Sequence, residues 1–286
     1  MISPTDQLVD PAWLAAHLAD PDLVVVDCRF AGGREASRQT YRDGHIAGAA
    51  HVYWLDELCA ADTRVTSLLP DPARAADGLG RLGIGPDAQV VGYADNANLY
   101  AARLWHVLRE VGHRWVRLLD GGIDAWRDEG RELVTGDRAV APVTYPLPEP
   151  QHTTIDRDEL HARLADTTLQ LIDTRSAAEY DGTERRAARG GHIPGAVLLP
   201  WTELTDTAGR YLGADAIRAR CRAAGLDPAC EVVTYCQGGV RAAHAALALQ
   251  MAGFHRVRIY DGSWAQWGND LSLPITTSAT STPVSA

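Results

Sequence analysis

Three stretches of the first half of the chain return in the second half at nearly constant distance. Leu23-Val24-Val25-Val26-Asp27-Cys28-Arg29 recurs as Leu169-Gln170-Leu171-Ile172-Asp173-Thr174-Arg175. Gly44-His45-Ile46-Ala47-Gly48-Ala49 recurs as Gly191-His192-Ile193-Pro194-Gly195-Ala196. Asp120-Gly121-Gly122-Ile123-Asp124-Ala125-Trp126 recurs as Asp261-Gly262-Ser263-Trp264-Ala265-Gln266-Trp267. Asp27 to Asp173 is 146 residues, His45 to His192 is 147, and Asp120 to Asp261 is 141. Offsets this close describe two copies that differ by small loop insertions. Two copies are too few for a stacked solenoid, so they read as a duplicated domain. A length of 286 residues gives each copy enough chain to bury its own core.

Within a copy, short apolar runs alternate with helical patterns. In the second copy a helix is expected over 155–164, with Thr154 or Asp156 as its N-cap. Strands follow at 169–173 and 196–199, a helix at 214–224, a strand at 231–235, a helix at 240–252 stopped by Gly253, and a strand at 257–260. This alternation predicts an α/β class with a mostly parallel sheet and helices on both faces. Pro142, Pro146, Pro148 and Pro150 mark an extended linker between the copies. The expected organisation is a first domain at 1–135, a linker at 136–152, a second domain at 153–275 and a flexible tail at 276–286.

The chemistry centres on Val232-Val233-Thr234-Tyr235-Cys236-Gln237-Gly238-Gly239-Val240-Arg241. Cys236 follows a strand and precedes an Ala- and Leu-rich helix. That is where open parallel sheets bind ligands and where unpaired backbone N–H groups collect. Convergent N–H groups and the positive helix end favour a thiolate, and Gly238 and Gly239 let the backbone turn its N–H groups inward. A cysteine-dependent phosphatase needs five residues between Cys and Arg to enclose a phosphate. Here Arg241 follows Cys236 with four between, leaving room for a smaller load such as one sulfur atom.

Charge and cysteine usage exclude other classes. A formal net charge of -10 argues against nucleic acid and against anionic membrane surfaces. Cys28, Cys59, Cys221, Cys230 and Cys236 form no Cys-x2-Cys pair, and an odd count fits free thiols in a reducing cytoplasm. Residues 1–6 carry no basic, apolar leader pattern, and no run is long enough to span a membrane. No metal-ligand spacing occurs.

The copies differ where the chemistry sits. At the 141-residue offset, Asp95 stands opposite Cys236, so the first copy is expected to be silent and to cover the second. Taken together, Asp-x-Arg, Gly-His-Ile-Pro-Gly-Ala, the six-residue loop from Cys236 and Asp-Gly-Ser-Trp-x-x-Trp resemble the tandem-domain rhodanese family, over about residues 8–274. That family comprises the thiosulfate and 3-mercaptopyruvate sulfurtransferases. The resemblance implies two tandem rhodanese-like domains and a ping-pong transfer in which Cys236 becomes a persulfide and passes sulfur to cyanide or a thiol. It calls for no metal and no organic cofactor. The implied partners are a small sulfur donor and a thiophilic acceptor, including a thiol-carrying protein; a persulfide-carrying module is the alternative.

The resemblance also frames the donor question. Gln237, Gly238, Gly239, Val240 and Arg241 are the implied loop ligands, and Arg185, Arg186 and Arg189 lie where mercaptopyruvate enzymes place anion-binding arginines. Uncharged Gln237 and Gly238 are closer to the mercaptopyruvate type. Glu179 stands where the family usually has an arginine, ahead of Tyr180-Asp181-Gly182-Thr183. Arg241 replaces a common Thr or Ser and offers positive charge to a small oxyanion, which favours thiosulfate over 3-mercaptopyruvate. Asp173 with Arg175, and His45 with His192, are expected to be structural. His244 is a candidate helper, and Trp201 a candidate pocket border.

Overall fold

The computed structural model describes residues 6–61, 65 and 67–277. They form two compact units. The first takes residues up to position 61, Leu69–Thr153 and Thr205–Gly213; the second takes Thr154–Leu204 and the chain from Ala214, together with Val65, Ser67 and Leu68.

In the first unit, β1 (Leu8–Val9), β2 (Leu23–Asp27), β3 (Ala50–His51), β4 (Gln89–Tyr93) and β5 (Val116–Leu119) line up in the order β1-β5-β4-β2-β3. All these pairings are parallel. The central strands read as unbroken apolar runs because helices cover both faces of such a sheet. Val25, Tyr41, Ile46, Val91, Tyr93, Ile123 and Trp126 share one buried cluster.

In the second unit, β6 (Leu169–Asp173), β7 (Val197–Leu198), β8 (Glu231–Tyr235) and β9 (Val257–Ile259) are ordered β7-β6-β8-β9, again parallel. Thr154 bridges Ile259 in parallel, at the edge that β1 occupies in the first unit. Leu171, Ile193, Val233, Tyr235, Tyr260, Trp264 and Trp267 form its core. The register is the same in both sheets: Asp27 faces Tyr93, and Asp173 faces Tyr235.

The expected elements are present with ends moved by a residue or two. The 155–164 helix is Arg157–Ala162, because Asp156 is its cap and accepts from the Glu159 N–H at 2.8 Å. The later helices are Ala214–Ala223 and Val240–Met251. From 137 to 153 the chain has no helix or strand. It is nevertheless tied down: the Val143 N–H donates to the Gly80 carbonyl (3.0 Å), the Gln151 N–H to the Glu110 carbonyl (2.8 Å), and Tyr145 is buried.

Two stretches depart from chain-order expectation. Thr205–Gly213 belongs with the first unit, because the Tyr211 N–H donates to Asp120 Oδ1 at 3.1 Å and Arg210 to the Asp120 carbonyl at 3.3 Å. Thr276, expected in a loose tail, exchanges two backbone hydrogen bonds with His192, both 2.9 Å. The remainder of that tail, 278–286, lies outside the described residues. No helix among the described residues is long and apolar enough to cross a membrane.

Candidate functional site

Cys236 is the first residue after β8 and is 1% exposed. Gly239 closes the turn with φ +82° and serves as N-cap of the helix Val240–Met251, a conformation that glycine adopts without strain. Ser263 organises the loop. Its hydroxyl accepts from the Cys236 and Gly239 N–H groups, each at 3.1 Å, and donates to the Tyr260 carbonyl at 2.8 Å. The carbonyls of Cys236 and Gln237 accept from the N–H groups of Trp264 (2.9 Å) and Ala265 (2.8 Å). These two carbonyls are thus satisfied. Among the described residues, the N–H groups of Gln237, Gly238, Val240, Arg241 and Ala242 have no acceptor. A row of free donors at the head of a 12-residue helix suits an anion.

Arg241 and Glu179, the two departures from the family pattern, meet. Arg241 Nη1 donates to Glu179 Oε2 (2.6 Å) and Nη2 to Oε1 (2.8 Å). The carboxylate is 2% exposed and the guanidinium side chain 17%. Glu179 also closes a capping box at the start of the helix Ala177–Asp181: the Ser176 N–H donates to Oε2 (3.1 Å), and the Glu179 N–H donates to the Ser176 hydroxyl (3.2 Å). Burial works against the Glu179 charge, but Arg241 overrides it and draws the carboxyl down to about 2. Burial likewise opposes the Arg241 charge, yet its bonds to Glu179 and the nearness of Cys236 hold it above the usual guanidinium range. Arg241 is therefore not the unpaired cation expected from the sequence.

The three upstream arginines separate. Arg189 is a structural clamp: it donates to the carbonyls of Trp267 (3.0 Å) and Leu273 (2.7 Å), and also to those of Gly268 and Asp270. Arg186 borders the loop. Its carbonyl accepts from Gln237 Nε2 (3.2 Å), and its Nε lies 2.6 Å from Glu184 and 3.8 Å from Glu179. Arg185 is exposed and has no hydrogen-bond or ion-pair partner among the described residues.

The loop of the first copy differs by more than a side chain. Shared register makes Tyr93 the counterpart of Tyr235, so Ala94, not Asp95, stands in the place of Cys236. The hydrogen bonds agree: the Ile123 N–H donates to the Ala94 carbonyl as the Trp264 N–H donates to that of Cys236, both 2.9 Å. The first-unit loop is one residue longer before the helix Leu99–Glu110, which accounts for the 141-residue offset that pointed to Asp95. Asn96, Ala97 and Asn98 run through left-handed backbone (φ 47°, 54° and 62°). Asn98 Oδ1 takes the Ala94 N–H at 2.8 Å. Gly122 replaces Ser263, and a Cβ there would lie 2.0 Å from the Ala94 carbonyl oxygen.

The remaining candidates make contacts within their own units. Asp173 and Arg175 form a buried pair at 2.6 Å, and Arg175 also donates to the Gly191 carbonyl; Asp27 and Arg29 repeat this with Gly44. His45 stacks on Tyr41 (3.8 Å between centroids) and His192 on Tyr180 (3.6 Å). His244 is buried with its ring edge against Trp201 at 5.1 Å. None of the five cysteines is in a disulfide, and burial raises the thiols of Cys28 and Cys221, the latter to about 11. Among the described residues no cluster of His, Cys, Asp or Glu is placed to hold a metal. Sequence reasoning missed Ser263; its one signal was the Gly-to-Ser change between the repeated Asp-Gly-Gly and Asp-Gly-Ser runs.

Comparison with known proteins agrees with this architecture. The rhodanese-like domain profile matches residues 10–129 and again 156–270. The chain is 38% identical over 279 residues to a probable 3-mercaptopyruvate sulfurtransferase of Pseudomonas aeruginosa, covering 95% of this chain and 98% of that one. It is 33% identical over 288 residues to a thiosulfate sulfurtransferase of Corynebacterium glutamicum, covering 95% and 91%. The crystal structure of SseA from Escherichia coli, described as a 3-mercaptopyruvate sulfotransferase, superposes with a TM-score of 0.79 at 29% identity, covering 90% and 98%. With two matched domains and near full-length relatives, the chain belongs to the rhodanese-like family, among its tandem-domain sulfurtransferases.

Proposed function

We propose that the chain transfers a sulfur atom by double displacement at Cys236, with 3-mercaptopyruvate as donor. The observation that carries the chemistry is the buried thiol of Cys236 at the head of a helix whose first N–H groups have no acceptor. In the first step the thiolate attacks the donor sulfur. The C–S bond breaks, its electron pair stays on carbon, and protonation gives pyruvate. The outer sulfur remains on Cys236 as a persulfide, whose charge the free loop N–H groups accommodate. In the second step a thiophile, cyanide or a thiol free or on a protein, attacks the outer sulfur and restores the Cys236 thiolate.

The donor reading rests on charge. Gln237 and Gly238 are neutral, and the Arg241 charge is matched by Glu179, so the surroundings favour a monoanion over a dianion. Thiosulfate is the second reading, favoured by the exposed cations of Arg185 and Arg186. With thiosulfate the same thiolate breaks the S–S bond and releases sulfite. The test is turnover of each donor by wild type and Cys236→Ser. Loss of at least about a thousandfold is expected in the variant, the scale on which removing a nucleophile acts; retained activity would overturn the assignment.

A further inference from the structure

We infer that Glu179 is a positioning residue that sets donor preference, by fixing Arg241 beside Cys236 and cancelling its charge. The inference rests on Cys236 being the sulfur carrier, but it concerns a residue that touches neither the sulfur nor the loop backbone.

Three observations carry it. First, Arg241 is the last residue of the loop that Cys236 begins, so its charge acts on whatever that loop holds. Second, Glu179 engages both terminal nitrogens of Arg241, while among the described residues the Arg241 Nε–H has no acceptor. The guanidinium is therefore held still, with its Nε–H free. Third, Glu179 itself is locked by the capping box with Ser176, so the pair cannot swing out without unravelling the start of that helix. Glu179 also lies 3.8 Å from Arg186, which is matched in turn by Glu184 at 2.6 Å. Two cations face two carboxylates around the loop. Removing one carboxylate leaves a net positive charge, and Coulomb attraction to a thiosulfate dianion then gains about twice what a monoanion gains.

The conservative variant separates this role from the fold. Glutamine serves in a capping box as glutamate does, so Glu179→Gln removes the charge and keeps the cap. The readout is the ratio of kcat/KM for thiosulfate to that for 3-mercaptopyruvate, at low ionic strength with one acceptor. Glu179→Gln is expected to raise the ratio about tenfold, about 1.4 kcal/mol of discrimination. Arg241→Gln, which leaves Glu179 unmatched, is expected to lower it, and it keeps the inference testable should the first variant fail to fold. Equal losses with both donors, or an unchanged ratio while activity still depends on Cys236, would overturn the inference alone. Absence of any Cys236-dependent activity in the wild type would overturn the functional reading and the inference with it.

Discussion

The carboxylate of Glu179 meets the helix-start N–H of Ser176 and the forked guanidinium of Arg241 at once. Its folded pKa lies below the ordinary value of 4.5, at about 2. A depressed carboxyl stabilises the fold fully above its unfolded pKa, and that stabilisation is lost as pH falls through the folded value. The excess stability of wild type over Glu179→Gln should therefore be constant above about pH 5 and shrink between about pH 4.5 and 2. Urea midpoints across that range would show it, and a difference independent of pH would refute it. In the sequence, Glu179 and Arg241 each stood out only as a misfit. Their complementarity was not legible there, because the two positions are 62 residues apart and only the fold brings them together. Arg189 failed as a ligand for a related reason: spacing cannot tell a guanidinium facing a pocket from one that closes over four carbonyls.

At the scale of elements, the strand-loop-helix unit occurs twice with different loops. In the second unit Ser263 gathers two loop N–H groups onto one hydroxyl, and it accepts a left-handed backbone (φ 50°) to do so. In the first, the longer loop passes through three consecutive left-handed residues, and the amide of Asn98 takes the hydroxyl's place. Each left-handed non-glycine residue costs on the order of 1 kcal/mol, so the longer loop is a distinct conformation held by its surroundings. Restoring a thiol by Ala94→Cys in the Cys236→Ser background should therefore not restore persulfide formation. Mass spectrometry after donor treatment would show no added sulfur on the first-unit loop; a sulfur-bearing peptide there would refute the argument. Strands and helices were legible to within a turn, since apolar runs and caps are local signals. The loop correspondence was not, because an offset taken downstream of an insertion misaligns what lies upstream of it.

At the scale of the molecule, the repeat was enough to place two parallel sheets and the change between them. Chain order was a poorer guide to membership. Thr205–Gly213 lies between second-unit segments in sequence but packs with Asp120 of the first, where Tyr211 is 7% exposed. Nothing in its composition announces this, since a short polar turn is compatible with either side. A fragment beginning at Thr154 would leave Tyr211 without that environment. It should melt at a lower temperature than the full chain, as calorimetry would register; an equal melting temperature would refute the assignment. The extra residue in the first-unit loop also bears on descent. Two loops of equal length that differ by a cysteine are one codon change apart, whereas loops that differ by a residue and by their hydrogen bonds are a length change and several substitutions apart. A cysteine at position 94 would thus not by itself give the first copy the loop of the second: several mutational steps, a length change among them, separate the two.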